Sequence, residues 1–273
     1  MSEPGAFDFG SSSVASAYDD VLAPILFEPW AALLLAEHSH WQGARVLDLA
    51  TGTGVVAEAL AGEVGLDGEV IGADINPEML ALAESRCADL SAVSFIESPA
   101  EPLGLDEQSV DVVVCQQGFQ FFPDRNAAAS EIHRVLQRGG VAIATTWRPV
   151  AECEFFGILC DALVTIGEAE LAATMRVPFD HMPAAELGGH FVEAGFESVA
   201  VDRHTLDFVL ERGPEQALEV AYSTPIGPQL AELSEDLQAG FREALVEFAK
   251  ELSDDGVTMG RMVSNVVRAK RPE

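Results

Sequence analysis

Between Ala44 and Trp147, short apolar runs alternate with longer segments of helical periodicity, and few architectures accept that order. "ARVLDLA", "GEVIGAD", "AVSFIES", "VDVVVCQ" and "GVAIATTW" read as strands. "GVVAEALAGEV", "NPEMLALAESRCADL" and "PDRNAAASEIHRVLQ" read as the helices between them, the second with Asn76 as N-cap and Pro77 in its first turn. The strand runs are continuously apolar rather than alternating, as expected where helices cover both faces of a sheet. The expected fold class is therefore α/β, a doubly wound and mostly parallel sheet.

The flanks extend this core. "VLAPILFEPWAALLLAEH" precedes it with apolar residues at helical spacing, behind a Ser/Gly/Ala-rich stretch over residues 1 to about 17. Beyond Trp147, residues 151 to 182 are mainly helical and carry Phe155, Phe156, Leu159 and Leu163, a composition suited to a lid. "MPAAELGGHFVEAGF" is a helix ending near Gly195, and "ESVAVDRHTLDF" a strand. A second helical stretch then precedes the closing strand "GRMVSNVVRAKR". The expected organisation is a core with its N-terminal helical segment over 1–147, a helical lid insertion over 148–182, a core helix and strand over 183–212, a second helical insertion over 213–254 and a last core strand over 255–273.

Composition narrows the function classes. Forty-five acidic residues against 15 basic ones give a net charge of −30, which repels a phosphate backbone and anionic headgroups, so neither nucleic acid nor a membrane surface is an expected partner. The N-terminus lacks a basic then apolar leader, no apolar run approaches the ~20 residues of a membrane span, and a cytoplasmic location is expected. Cys87, Cys115, Cys153 and Cys160 are scattered without a CxxC pair and read as reduced, buried thiols. No HxxH, HExxH or Cys/His pattern suggests a metal.

The chemistry concentrates in "VLDLATGTG", Val46 to Gly54. "GTGVVA" satisfies GxGxxA, and Asp74 lies twenty positions after Gly54, so a dinucleotide is one legitimate reading. Glycines let backbone approach a ligand, and a carboxylate closing the second strand can accept hydrogen bonds from ribose hydroxyls. Asp48 separates the possibilities. A carboxylate here would repel a pyrophosphate but attract a ligand carrying ammonium and sulfonium groups, by about 4 kcal/mol at ~4 Å and an effective dielectric of 20.

"VLDLATGTG" resembles the first motif of the class I S-adenosylmethionine-dependent methyltransferases, a hydrophobic strand, an acidic residue, two further residues and GxG. "VIGADINPEML" is similar to the second, "ESPAEPLGLDEQSVDVVVCQQGFQFFPD" and "EIHRVLQRGGVAIATTW" to the third and fourth, the last with ExxRVLxxGG from Glu131 to Gly140. Four motifs in order cover roughly residues 15 to 147. The resemblance implies a Rossmann-like sheet of seven strands, one of them antiparallel, and S-adenosylmethionine as cofactor. It implies that Ala50, Gly52 and Gly54 line the methionine part, that Asp48 orients its ammonium, and that Asp74 holds the ribose. It further implies that Ile75 and Met79 flank the adenine, that Ala100 and Glu101 meet its amine, that Gln116 closes over the methionine, and that Tyr18 covers its carboxylate. One departure stands in the third motif, where Pro99 after Ser98 replaces the acidic residue many members carry before that alanine.

The acceptor is expected over the C-terminal ends of the strands. Phe119, Phe121, Trp147, Phe155, Phe156, Phe179 and Tyr222 are candidate lining groups for a small, partly hydrophobic molecule. His181 and Glu152 are candidate acid/base groups, with no single catalytic residue assigned, while His38, His40 and His133 read as structural. Methyl transfer to an O, N or C atom of such a molecule is the leading function. C-methylation of a quinone precursor is its alternative, and a non-catalytic S-adenosylmethionine-binding protein is the reading from another class.

Overall fold

A computed structural model describes residues 16–180 and 182–273. The first fifteen residues and the acid/base candidate His181 lie outside the described residues. The chain divides into two compact units. Of the described residues, a sheet unit comprises 28–147, 182–204 and 264–273; a helical unit comprises 16–27, 148–180 and 205–263.

In the sheet unit the expected alternation is present. After α1 (Glu28–Ala36) come β1 (Arg45–Leu49), α2 (Val55–Val64), β2 (Glu69–Asp74), α3 (Pro77–Arg86), β3 (Val93–Glu97), β4 (Val110–Gln116), α4 (Arg125–Val135) and β5 (Leu136–Trp147). β1 pairs in parallel with β2 and β4, β2 with β3, and β4 with β5. The core beneath is apolar, with Leu47, Leu49, Val113, Ile132 and Leu136 all buried. Asn76 caps α3 as expected, its side chain accepting from the Glu78 and Met79 amides, with Pro77 in the first turn.

α4 is shorter than the sequence suggests. It starts after Asp124, whose Oδ1 accepts from the Ala127 amide at 2.9 Å, and stops at Val135 because Leu136 turns extended and buries against the sheet. The ExxR pair within it is scaffolding. Arg134 is held by both oxygens of Glu131 and donates to the Leu103 and Leu105 carbonyls, while Glu131 accepts from the Leu103 amide at 2.7 Å. That guanidinium holds the Glu131 carboxyl below its usual range.

The rest of the chain follows as α5 (Glu154–Thr165), α6 (Ala169–Arg176), α7 (Ala184–Glu193), β6 (Glu197–Leu210), α8 (Gln216–Ser223), α9 (Gly227–Glu232), α10 (Glu235–Glu251), β7 (Ser253–Asp254) and β8 (Val257–Lys270). The strand order is β3-β2-β1-β4-β5-β8-β6, so the seven expected strands form one path, with β8 antiparallel to β5. An eighth, the two-residue β7, adds to β8 as a small antiparallel hairpin closed by Asp255 and Gly256, both at positive φ. No helix among the described residues is long and apolar enough to cross a membrane.

The helical unit is organised by aromatic packing. Phe155 and Phe156 on α5 lie within 4.8 to 6.2 Å of Phe208, and Phe156 within 4.9 Å of Phe179, centroid to centroid. Phe155, Phe156 and Phe179 are all buried, so three of the expected acceptor-lining rings are the core of this unit. α5 packs on α6 and α10. The N-terminal segment differs from an ordinary helix, since Tyr18–Phe27 is wound as a π-type helix containing Pro24, with Tyr18 stacked on Phe27 at 4.8 Å.

Candidate functional site

The turn between β1 and α2 is built by backbone conformations that the sequence selects. Ala50, Gly52 and Gly54 have φ of 58°, 55° and 83°, in the left-handed region that costs a residue with a Cβ about 1 kcal/mol or more. A Cβ at Gly54 would stand 3.0 Å from that of Ala83 on α3, so this glycine is demanded by packing as well as by φ. At Gly52 an added Cβ would meet nothing within 4 Å. The turn is pinned by the Thr51 amide donating to the Ala73 carbonyl at 3.0 Å and the Gly54 amide donating to the Thr51 carbonyl at 3.0 Å.

Two carboxylates close the neighbouring strands beside this turn. Asp48, 1% exposed, accepts from the Thr51 hydroxyl at 2.6 Å through Oδ2, while its buried Oδ1 accepts no hydrogen bond from the described residues. Burial raises its pKa to about 7; the Thr51 hydroxyl opposes that, the Asp74 charge adds to it, and the Ala57 amide lowers it without bonding Oδ1. Gly72, opposite Asp48 in the β1–β2 register, makes room, since a Cβ there would stand 2.5 Å from the Phe95 ring and 3.0 Å from the Thr51 hydroxyl.

Asp74 is held in place by its acceptors' partners. Oδ2 accepts from the Gly52 amide and Oδ1 from the Asn76 amide, both at 2.9 Å. Burial raises its pKa, and those two amides lower it. The structure thus brings together Asp48, Ala50, Gly52, Gly54 and Asp74 at the C-terminal ends of β1 and β2. Gln116 ends β4 alongside, and the following Gly118 packs so close to Ala50 that a Cβ there would lie 2.6 Å from the Ala50 methyl.

The remaining candidates divide. Ile75, 69% exposed, stands free at the end of β2, whereas Met79 is buried in α3. The loop bearing Ala100 and Glu101 follows β3, and its fold answers the Pro99 departure. Ser98 is buried, its amide donates to the Asp74 carbonyl at 2.9 Å, and its hydroxyl donates to the Pro99 carbonyl and accepts from the Gly104 amide. Tyr18 belongs to the helical unit. Glu152 is engaged through both oxygens by Arg148, at 2.9 and 2.8 Å, and the ion pair occupies the carboxylate that a base would need. Phe119 is core, stacked 5.2 Å from Phe191; Trp147 meets Trp30 edge-on at 5.3 Å; Phe121 keeps 40% exposure.

Sequence reasoning missed two groups. Thr51 supplies a hydroxyl bonded to Asp48, and a threonine inside a glycine turn gives no signal of that. Gln117 has φ 55° and a buried side chain tied to Ser264, a residue 147 positions away. Among the described residues no group of three or more His, Cys, Asp or Glu could hold a metal ion.

Comparison with known proteins agrees with this geometry. The family profile described as "Methyltransferase domain" matches residues 47–144. The chain is 32% identical over 204 residues to the ubiquinone/menaquinone biosynthesis C-methyltransferase UbiE of Xanthomonas campestris, covering 68% of this chain and 79% of that protein. It is 30% identical over 205 residues to the same enzyme of Xylella fastidiosa, covering 68% and 80%. A Haemonchus contortus phosphoethanolamine N-methyltransferase 2, solved with phosphomonomethylethanolamine and S-adenosylhomocysteine, matches with a TM-score of 0.62 at 18% identity, over 96% of this chain and 58% of that one. That last likeness is one of fold.

Proposed function

Since the chain belongs to the S-adenosylmethionine-dependent methyltransferases, we propose that it methylates a small, partly hydrophobic acceptor at the C-terminal ends of β1, β2 and β4. A ring carbon of a quinone precursor is the particular case that its similarity to UbiE proteins favours. The observation that carries the reading is the buried Asp48 carboxyl, with one oxygen bonded to Thr51 and the other unpartnered. That donor set suits a cation and is a poor place for a pyrophosphate. The residues present therefore fit S-adenosylmethionine, which supplies a methyl group already activated by its sulfonium.

In this reading Asp48 takes the cofactor's ammonium on Oδ1. Asp74 offers the lone pairs left on both oxygens to the ribose hydroxyls, its orientation fixed by the Gly52 and Asn76 amides. Ala50 and Gly52 bring backbone alongside the methionine part, and the open side of Gly52 leaves room for it. Ile75 covers one face of the adenine; Met79 supports that face from within α3; Ala100 and Glu101 reach the amine, and Gln116 borders the methionine. Holding the acceptor in line with the activated methyl group would supply most of the acceleration without an assigned base. Phe121 is the exposed aromatic beside β4 suited to touch it.

The test is calorimetric titration with S-adenosylmethionine and with NADH, followed by transfer of labelled methyl to a panel of quinols, phenols and amines. Saturation by the first alone, with label in an organic product, is the expected result. Saturation by NADH, or no affinity for S-adenosylmethionine, would overturn the assignment.

A further inference from the structure

Where β4 ends, the chain buries a polar side chain that none of the roles above uses. Gln117 is 6% exposed and sits at φ 55°, a conformation a β-carbon-bearing residue adopts at a cost. Its backbone is fixed twice, the amide donating to the Thr145 hydroxyl at 3.0 Å and to the Thr145 carbonyl at 3.1 Å. Its side-chain nitrogen lies 3.0 Å from the Ser264 hydroxyl on β8.

The orientation of the carboxamide follows from proton counting. Ser264 Oγ lies 2.7 Å from the Thr146 carbonyl and 3.2 Å from the Asn265 carbonyl, and a carbonyl can only accept. The serine proton is thus committed, so Ser264 must accept from Gln117, and the Gln117 NH2 faces it. Oε1 is left on the other side, buried and with no hydrogen-bond donor among the described residues. Thr146 Oγ1, fully buried one residue along β5 from Thr145, is unpartnered as well. A carboxamide oxygen stripped of water and given no donor is destabilising, and a strained backbone that holds it there adds to the cost.

The neighbouring Gly118 packs on Ala50 of the cofactor turn, which puts Gln117 one residue along the chain from a residue that touches that turn. We propose that Gln117 Oε1 is the hydrogen-bond acceptor for an O–H or N–H of the methyl acceptor, and that Ser264 is its positioning residue. The proposal rests on the methyltransferase reading and sharpens it. The acceptor presents a donor group, as a hydroquinone, phenol or amine does. A quinone carbonyl or an O-alkylated ring would place oxygen against oxygen and be rejected, because a site built to bond a hydroxyl is left unpaired by the analogue lacking it.

The test uses the full chain saturated with S-adenosylhomocysteine and two probes of one ring system, 1,4-dihydroxynaphthalene under argon and 1,4-dimethoxynaphthalene. The native protein should bind the diol about tenfold or more tightly than the diether. Gln117→Met, which keeps length and removes both polar atoms, should bring that ratio to about one. Ser264→Ala, which keeps Oε1 but frees the carboxamide to rotate, should lower the ratio to an intermediate value; a purely structural serine would leave the ratio at its native level and shift only the melting temperature. A native protein that binds neither probe or does not prefer the diol, or a preference that survives in Gln117→Met, would overturn the proposal. Titration of S-adenosylhomocysteine itself is read separately: its loss in the native protein defeats the cofactor assignment, whereas its retention with no diol preference defeats this inference alone.

Discussion

In the sheet unit, Asp48 Oδ1, Thr53 Oγ1, Gln117 Oε1 and Thr146 Oγ1 are buried without a hydrogen bond among the described residues. In the helical unit the buried centre is Phe155, Phe156, Phe179 and Phe208, rings that satisfy one another and leave nothing polar behind. Hydrophobic burial is the dominant favourable term in folding, whereas each unpaired polar atom opposes it. A protein that keeps four such atoms near one sheet end is carrying a cost there, and binding is the event that can offset it.

The contrast can be broken at either end. The largest effect is expected in the helical unit. Phe155→Ala should lower the unfolding free energy by about 3–5 kcal/mol in urea titrations, because a 1% exposed ring at the centre of the cluster leaves a cavity. A loss below about 1 kcal/mol would mean that these rings are not what holds the unit together. In the sheet unit, Asp74→Ala should weaken S-adenosylmethionine binding by roughly 2–3 kcal/mol, the worth of hydrogen bonds to a charged group. Unchanged affinity by calorimetry would remove Asp74 from the site.

The next effect is one of pH. Asp48 has its pKa raised to about 7 by burial, above the ordinary carboxylate value, so the folded, unliganded protein holds a proton that the unfolded chain releases. Stability of the unliganded protein should therefore fall as pH rises from about 4 to 7, and Asp48→Asn should flatten that slope. Cofactor binding needs the ionised form, so affinity should fall about tenfold between pH 8 and pH 6, with proton release on binding near pH 6.5. Calorimetry in two buffers of different ionisation enthalpy reads that proton directly; equal heats would refute the titration of Asp48. The smallest change is expected for Ile75→Ala, where loss of an exposed apolar contact should cost about 0.5–1 kcal/mol of cofactor affinity and no measurable stability.

What could be read in the sequence is local in the chain. Asp48, Gly52, Gly54 and Asp74 lie at strand ends whose spacing is set by one strand, one helix and the next strand, so their meeting follows once the alternation is recognised. The mostly parallel character of the sheet follows too, because continuous apolar runs joined largely by helices call for crossover connections between parallel strands. The end of α4 was not legible, since Leu136 and Gln137 continue a helical pattern and only the pull of the sheet makes them extended. Nor was the brace between Gln117 and Ser264, which exists because β8 returns antiparallel beside β5 and brings two distant polar side chains together. The rings expected to line an acceptor cavity illustrate the same limit. Phe155 and Phe156 have the composition of a lid and the neighbours of a core, and composition cannot distinguish the two.

The pair of glycines in the turn has a further consequence. Written as letters, Gly52 and Gly54 are one pattern; as mechanical parts they are unlike. The second works as a spacer, setting how near α2 may come to α3, and a methyl group there would push on Ala83. The first has no neighbour to push. An alanine scan scored by activity alone would record two equal losses and call the positions equivalent. Scored by melting temperature as well, it would separate a hinge pin from an open doorway, and only the doorway would leave the fold largely as it was while shutting out what enters.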